Sequence, residues 1–436
     1  MGKSRLVEEF LFRSGTPHVF FAASRQHPER ELALFAEEVG ESSLPAAALV
    51  RGGLSFDSWD GALGLLANTA EDSPAVVVLD EFPYLAERDE SIEGVLQKVW
   101  DRSFSRVPVF LILIGSDISM MEALTQYDRP LYGRPTKEMV IEPFDPAETA
   151  KMTGMEAAET MEAQLAAGGF PLILQSWREG EGMWEFLDRE LVDPTSPLIV
   201  SGERMLAAEF PTEAQAKSVL RTIGAGERTF STIASRAGIA QAPLARALAT
   251  LVDRKRVAAV ERPLSSRSSN DTRYRVADPY LRFWLRFVEP GLEEIERGRG
   301  RLVAERVRRN WTEYRGRAIE PLVREALKLL LPDERFGGAR YVGGYWNRRG
   351  DVEVDLVGAD KKEKPDRVDF IGSIKWRESR PFDRRDFVSL SGQLGDVPGT
   401  DDSTLLVGIS RTGFDTDALD AAFSPEDLME AWALHT

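Results

Sequence analysis

Ala75-Val76-Val77-Val78-Leu79, followed at once by Asp80 and Glu81, is the stretch on which the fold turns. Five apolar residues in a row, three of them β-branched, are too short for a core helix and lack the alternation of a half-exposed strand. They predict a strand buried on both faces. Two similar runs flank it. Val19-Phe20-Phe21-Ala22-Ala23 ends at Ser24, and Val109 to Ile114 ends at Gly115. Between and before them, the spacing of apolar residues predicts helices over Gly2–Phe12, Glu29–Val39, Trp59–Ala67 and Ser91–Arg102. Buried strands alternating with amphipathic helices make an α/β unit with a parallel sheet covered on both faces.

The acids at the tip of that strand gain meaning from Gly2-Lys3-Ser4, which opens the first helix. These three residues match the last positions of the phosphate-binding loop G-x-x-x-x-G-K-[ST]. In such a loop the backbone amides and the positive helix end hold phosphates, the lysine neutralises them and the hydroxyl binds Mg²⁺. Asp80 is then expected to hold Mg²⁺, usually through water, and Glu81 to orient the attacking water. The bland alternative for Asp80-Glu81 is an acidic cap on the next helix. Only Met1 precedes Gly2. The first half of the loop and an apolar strand beside the 75–79 strand are therefore expected upstream, and ATP binding is expected to depend on them.

Further along, the helical region from Pro146 to about Ala208 contains the turn Gly168-Gly169-Phe170-Pro171 and reads as a small lid. Gln215–Ile223, Phe230–Ala237 and Ala242–Lys255 then read as three helices, with Gly238 as a turn. Val257–Val260 and Thr272–Val276 flank a polar Ser/Arg/Asn-rich tip. That order predicts a winged helix-turn-helix. Arg246, Arg254, Lys255 and Arg256 lie on or just after its third helix, and Arg273 lies in its wing. They are candidates for contact with double-stranded DNA; the competing expectation is a protein-docking module. From Glu227 to Arg286 there are twelve Lys/Arg against five Asp/Glu. From Arg297 a long helix is expected, then strands near Val352–Val357, Val368–Trp376 and Leu405–Ile409.

Taken in order, these motifs resemble the bacterial and archaeal AAA-like ATPases that carry a winged helix and a C-terminal nuclease-like domain. The resemblance covers residues 1 to about 285, with a family-typical tail. It implies a P-loop core over 1–145, a helical lid over 146–208, a winged helix over 209–277 and a C-terminal domain over 278–436. It also implies that Ser116 senses the γ-phosphate and that Arg134 serves as an arginine finger or lid contact. The tail resembles the restriction-endonuclease-like fold, PD-(D/E)xK. Glu320 on the long helix, Asp355 on one strand, and Ser373 with Lys375 on the next occupy that motif's places. A serine stands where its glutamate belongs, so a nuclease fold kept for binding or packing is expected. The implied function is an ATP-binding, ATP-hydrolysing regulatory or DNA-associated protein using Mg²⁺. Two rivals are a winged-helix DNA-binding or docking module with an inactive ATPase, and a metal-dependent nuclease.

Composition narrows the field. The 436 residues carry a net charge of −16, which argues against indiscriminate nucleic-acid binding by the whole surface. The absence of cysteine excludes disulfides, thiolate metal sites and cysteine nucleophiles. His18, His27 and His435 are too scattered for a histidine-rich metal site. No apolar run reaches the roughly 18 residues of a membrane span, and a cytoplasmic location is expected. A protein partner or a homo-oligomer is compatible with this reading.

Overall fold

The computed structural model describes residues 2–70, 73–267, 269 and 271–434. Met1, His435 and two residues of the polar hairpin tip, Ser268 and Asn270, lie outside the described residues. The chain divides into two compact units, Met1–Glu142 and Pro143–Thr436.

The first unit holds a parallel sheet of β1 (His18–Ala22), β2 (Ala75–Asp80) and β3 (Val109–Leu113), in the order β1-β2-β3. All six residues of β2 are buried, as its unbroken apolar run requires. Strand parity divides them between two cores. Ala75, Val77 and Leu79 join Phe21, Phe35, Trp59 and Leu96. Val76 and Val78 join Leu11, from the helix Lys3–Ser14.

One expectation is corrected here. A further, upstream strand beside the 75–79 strand would find no free edge there, because both edges of β2 are paired, by β1 and β3. Among the described residues the unpaired edges belong to β1 and β3. On β3, Phe110 is 51% exposed.

The second unit begins with helices Pro146–Thr153, Ala157–Ala167, Met183–Glu190 and Pro197–Glu209. Gly169 turns the chain between them with φ 73°, and a side chain there would collide with the Phe144 carbonyl. This helical segment does not form a core of its own. Met161, Leu187 and Leu206 pack in one cluster with Leu220, Trp284 and Trp311.

Helices Ala214–Gly224, Phe230–Ala237 and Gln241–Ala249 follow. Then comes an antiparallel hairpin of β4 (Ala258–Glu261) and β5 (Arg273–Val276). Thr229 caps the second helix in a capping box and Gly238 ends it, so both boundaries were written locally.

The helix Gly300–Leu330 runs beneath a five-stranded mixed sheet of order β12-β10-β8-β7-β6. Its strands are β6 (Tyr341–Trp346), β7 (Glu353–Ala359), β8 (Val368–Lys375), β10 (Leu405–Ser410) and β12 (Ala421–Phe423). The short pair β9 (Phe382–Asp383) and β11 (Phe414–Asp415) lies apart from it. No helix among the described residues is long and apolar enough to cross a membrane.

The indole of Trp284 donates to the Ile199 carbonyl at 2.8 Å and lies flat against Gly202, where a Cβ would sit 2.4 Å from the ring. Gly202→Ala should therefore destabilise the second unit by about 1–3 kcal/mol through overpacking. Urea unfolding followed by tryptophan fluorescence measures this; an unshifted midpoint would contradict the packing described.

Candidate functional site

The C-terminal edge of the first sheet gathers most of the residues singled out there. The helix Lys3–Ser14 begins after Gly2, whose φ is 97°. Its Ser4 hydroxyl donates to Asp80 Oδ2 at 2.6 Å. Asp80 Oδ1 accepts from the Glu81 amide at 2.8 Å. Glu81 itself has φ 53° and ψ 38°, a left-handed conformation that costs a non-glycine residue about 1–2 kcal/mol. The turn swings its carboxylate towards the end of β3. There Ser116 donates to it from Oγ at 2.9 Å and from its amide at 3.4 Å. Strain of this kind tends to be kept where it positions a functional group. Lys3, in the first turn of the helix, makes no ion pair among the described residues.

Arg134 is placed differently. Its guanidinium donates to both oxygens of Asp101, at 3.1 and 2.8 Å, and to the carbonyls of Pro130 and Tyr132. It is committed to that turn and not brought into the Ser4–Asp80–Glu81–Ser116 group. The sequence reading also passed over Arg25, which stacks 3.7 Å from the Tyr84 ring centre with φ 62°, just past the end of β1. Its only signal was a polar residue after a buried strand.

In the second unit, Arg246, Arg254 and Arg256 are exposed, while Lys255 is half-buried and lies 3.8 Å from Glu209. Arg273 departs from a free wing. It pairs with Glu353 of β7 and lies over the Trp346 ring at 4.3 Å. The hairpin is sewn to the C-terminal sheet further along: Leu264 donates its amide to the Gly344 carbonyl, and Trp346 Nε1 donates to the Asp271 carbonyl.

The four residues of the expected nuclease motif are partly assembled. Ser373 Oγ donates to Asp355 Oδ2 at 3.1 Å, and the Ile374 amide donates to the same oxygen at 2.8 Å. Glu320 accepts from Arg324 at 2.9 Å, and Arg324 also donates to the Asp355 carbonyl at 2.8 Å. Lys375 ends β8 half-buried. No group of three His, Cys, Asp or Glu side chains arranged to hold a metal occurs among the described residues.

The two sheets define a mixed α/β protein with an acidic pair at the end of a buried parallel strand. Residues 284–386 match the model of a family described as archaea bacterial proteins of unknown function. The match lies within 278–436, the C-terminal domain that the motif resemblance implies. An uncharacterized protein of Methanocaldococcus jannaschii is 27% identical over 313 residues, covering 71% of this chain and 69% of the relative. A second uncharacterized protein of that organism is 37% identical over 51 residues, covering 12% of this chain and 50% of the relative. Among solved structures, the Aeropyrum pernix Orc1 protein in complex with DNA aligns at a TM-score of 0.32 and 15% identity. That alignment covers 67% of this chain and 84% of the Orc1 chain.

Burial pushes the Glu320 carboxyl up to about 7, against the opposing pull of Arg324. A raised carboxyl means that the folded chain holds the proton more tightly than the unfolded chain does. Its contribution to stability is full below the ordinary value of 4.5 and is lost as pH rises through 7. Glu320→Gln carries no charge to bury. It should be more stable than the parent at pH 8 by about 1–3 kcal/mol, with the two converging near pH 5. Melting curves across this range test it; a difference independent of pH would contradict the assignment.

Proposed function

We propose that the first unit binds ATP with Mg²⁺ and hydrolyses it at the C-terminal edge of its sheet. The observation that carries this reading is the convergence of Ser4 on Asp80 at 2.6 Å beside Glu81, which Ser116 holds at 2.9 Å. The pair Ser4 and Asp80 suits Mg²⁺, a hard cation that takes few protein oxygens and completes its shell with water and phosphate. When bound, the ion would neutralise charge on the phosphates. Lys3 and the positive end of its helix do the same from the protein side. Glu81 orients the attacking water and accepts its proton. Ser116, through its hydrogen bond, keeps that carboxylate turned towards the site and reports the γ-phosphate.

A second reading concerns the helices and hairpin of 209–277. We read them as a winged helix whose wing docks on a PD-(D/E)xK-like C-terminal domain. The pairing of Arg273 with Glu353 and Trp346 favours docking for the wing. Any duplex contact is then left to Arg246, Arg254 and Arg256. The C-terminal domain acts in packing, because Arg324 already bridges Glu320 and the Asp355 carbonyl.

Glu81→Gln should keep Mg–ATP affinity and lose at least about a hundredfold in turnover, the usual scale for removing a general base. The 436-residue chain and a form extended by in-frame codons upstream of Met1 are both titrated calorimetrically and assayed for phosphate release. Binding by neither form, or full turnover in the variant, would sink the ATPase reading.

Charge reversal at Arg246 and Arg254 should weaken duplex binding and flatten its salt dependence. Gel-shift titrations at several salt concentrations measure this. If the parent retards no DNA, the module is for docking alone.

A further inference from the structure

A cavity of about 110 Å³ opens in the second unit between the β4–β5 hairpin and the helix Gly300–Leu330. Five arginines and three glutamates line it, so positive charge is in excess even with every glutamate ionised. The arginines come from separate elements. Arg228 lies in the loop before the Phe230–Ala237 helix, and Arg275 lies on β5. Arg282 and Arg286 lie in and after the Pro279–Phe283 helix, and Arg317 lies on the long helix.

What matters is which of these charges are already matched. Glu261 is taken by Arg275 at 2.9 Å and by Arg324 at 3.5 Å, and Glu320 is taken by Arg324. Glu313 is exposed at the cavity's rim. The remaining arginines have no carboxylate within hydrogen-bond distance among the described residues. Arg228 reaches Glu353 only at 3.9 Å. Arg282 donates one nitrogen to the Ala318 carbonyl, but its Nε is buried with no partner. Arg286 donates to the Ala225 carbonyl, and Arg317 projects from an exposed turn of the helix. Burial, aided by the nearby charge of Arg273, pushes the Arg228 guanidinium below its ordinary value. Glu320, Glu353 and Glu261 pull it the other way without cancelling the shift.

We propose that this cavity binds a phosphate group. Several guanidinium forks arriving from different directions suit a tetrahedral oxyanion, whose oxygens point several ways, better than a planar carboxylate, which one fork satisfies. A phosphate anion offsets the excess of positive charge, and the orphaned Arg282 Nε gains an acceptor. A cavity of about 110 Å³ has room for one such anion with a little water. The group is therefore either free inorganic phosphate or the terminal phosphate of a small molecule whose body stays in the mouth. The site is separate from the nucleotide site proposed for the first unit and does not rest on it.

The full chain is titrated calorimetrically with sodium phosphate and, in a second arm, with AMP, at constant ionic strength held by chloride. One equivalent of phosphate is expected to bind. The double variant Arg228→Gln, Arg317→Gln should bind at least tenfold more weakly, with circular dichroism and melting unchanged. Arg317→Gln alone, on an exposed turn, should lose about threefold and carries the test if Arg228→Gln does not fold. Arg297→Gln, which removes an exposed arginine elsewhere, should bind as the parent does. Tighter binding of AMP than of phosphate assigns the group to a small phosphorylated molecule; the reverse assigns it to the free ion. The proposal is overturned if the parent binds neither probe, if binding survives loss of both arginines, or if Lys3→Ala abolishes it.

Discussion

Glu162 is the residue on which the second unit depends. It is buried on the helix Ala157–Ala167, and its Oε1 accepts from Arg315 Nη1 at 3.0 Å, Trp376 Nε1 at 3.0 Å and Arg411 Nε at 2.7 Å. Those donors come from the long helix, the end of β8 and the end of β10. A lone carboxylate here would cost several kcal/mol in lost hydration. Three converging donors, two of them charged, offset that cost only if all four elements keep their places. Arg315 is itself buried and turns its other contact to Glu378. The long helix is thereby locked against the sheet, and with it Glu320 and Arg324, about one and a half and two and a half turns further along.

How much of this could be read locally depended on where the partner lay. β2 was legible because every residue in it is buried, so its apolar run is unbroken. The helix Phe230–Ala237 was legible because Thr229 and Gly238 mark both ends. β6 was not, since Gly343-Gly344 interrupts its pattern. Those glycines answer tertiary neighbours: a Cβ at 344 would meet the Arg324 guanidinium at 2.5 Å, and one at 343 would meet Leu264 at 3.1 Å. The order of the first sheet was equally hidden, because an apolar run shows that a strand is buried and not which strands flank it.

The same limit governed the charged residues. Counting arginines found the basic stretch of 227–286 but not its partners. Arg273 is neutralised by Glu353, eighty positions away, and Arg134, in a turn, by Asp101 of the helix Ile92–Arg102. By contrast, Ser4, Asp80, Glu81 and Ser116 were found together. Each sits at the end of an element whose direction the pattern did reveal, and parallel strands deliver their C-terminal ends to one edge. What the pattern could not supply was the left-handed turn at Glu81, which aims the carboxylate at Ser116.

Two aspartates in this chain are held almost alike, and the difference between them decides which site stays open. Asp80 accepts from a serine hydroxyl and the following amide; Asp355 accepts from a serine hydroxyl and the amide of Ile374. Beside Asp355, however, a guanidinium already spans the Asp355 carbonyl and the Glu320 carboxylate. It occupies with fixed charge the region where a nuclease would need a cation, and displacing it would strand a buried arginine. Beside Asp80 the neighbouring acid is Glu81, held by the neutral Ser116, and Lys3 in the first turn of the adjoining helix makes no ion pair among the described residues. An arginine fills the acidic group at Asp355 from within, whereas among the described residues no arginine hydrogen-bonds to Asp80 or Glu81.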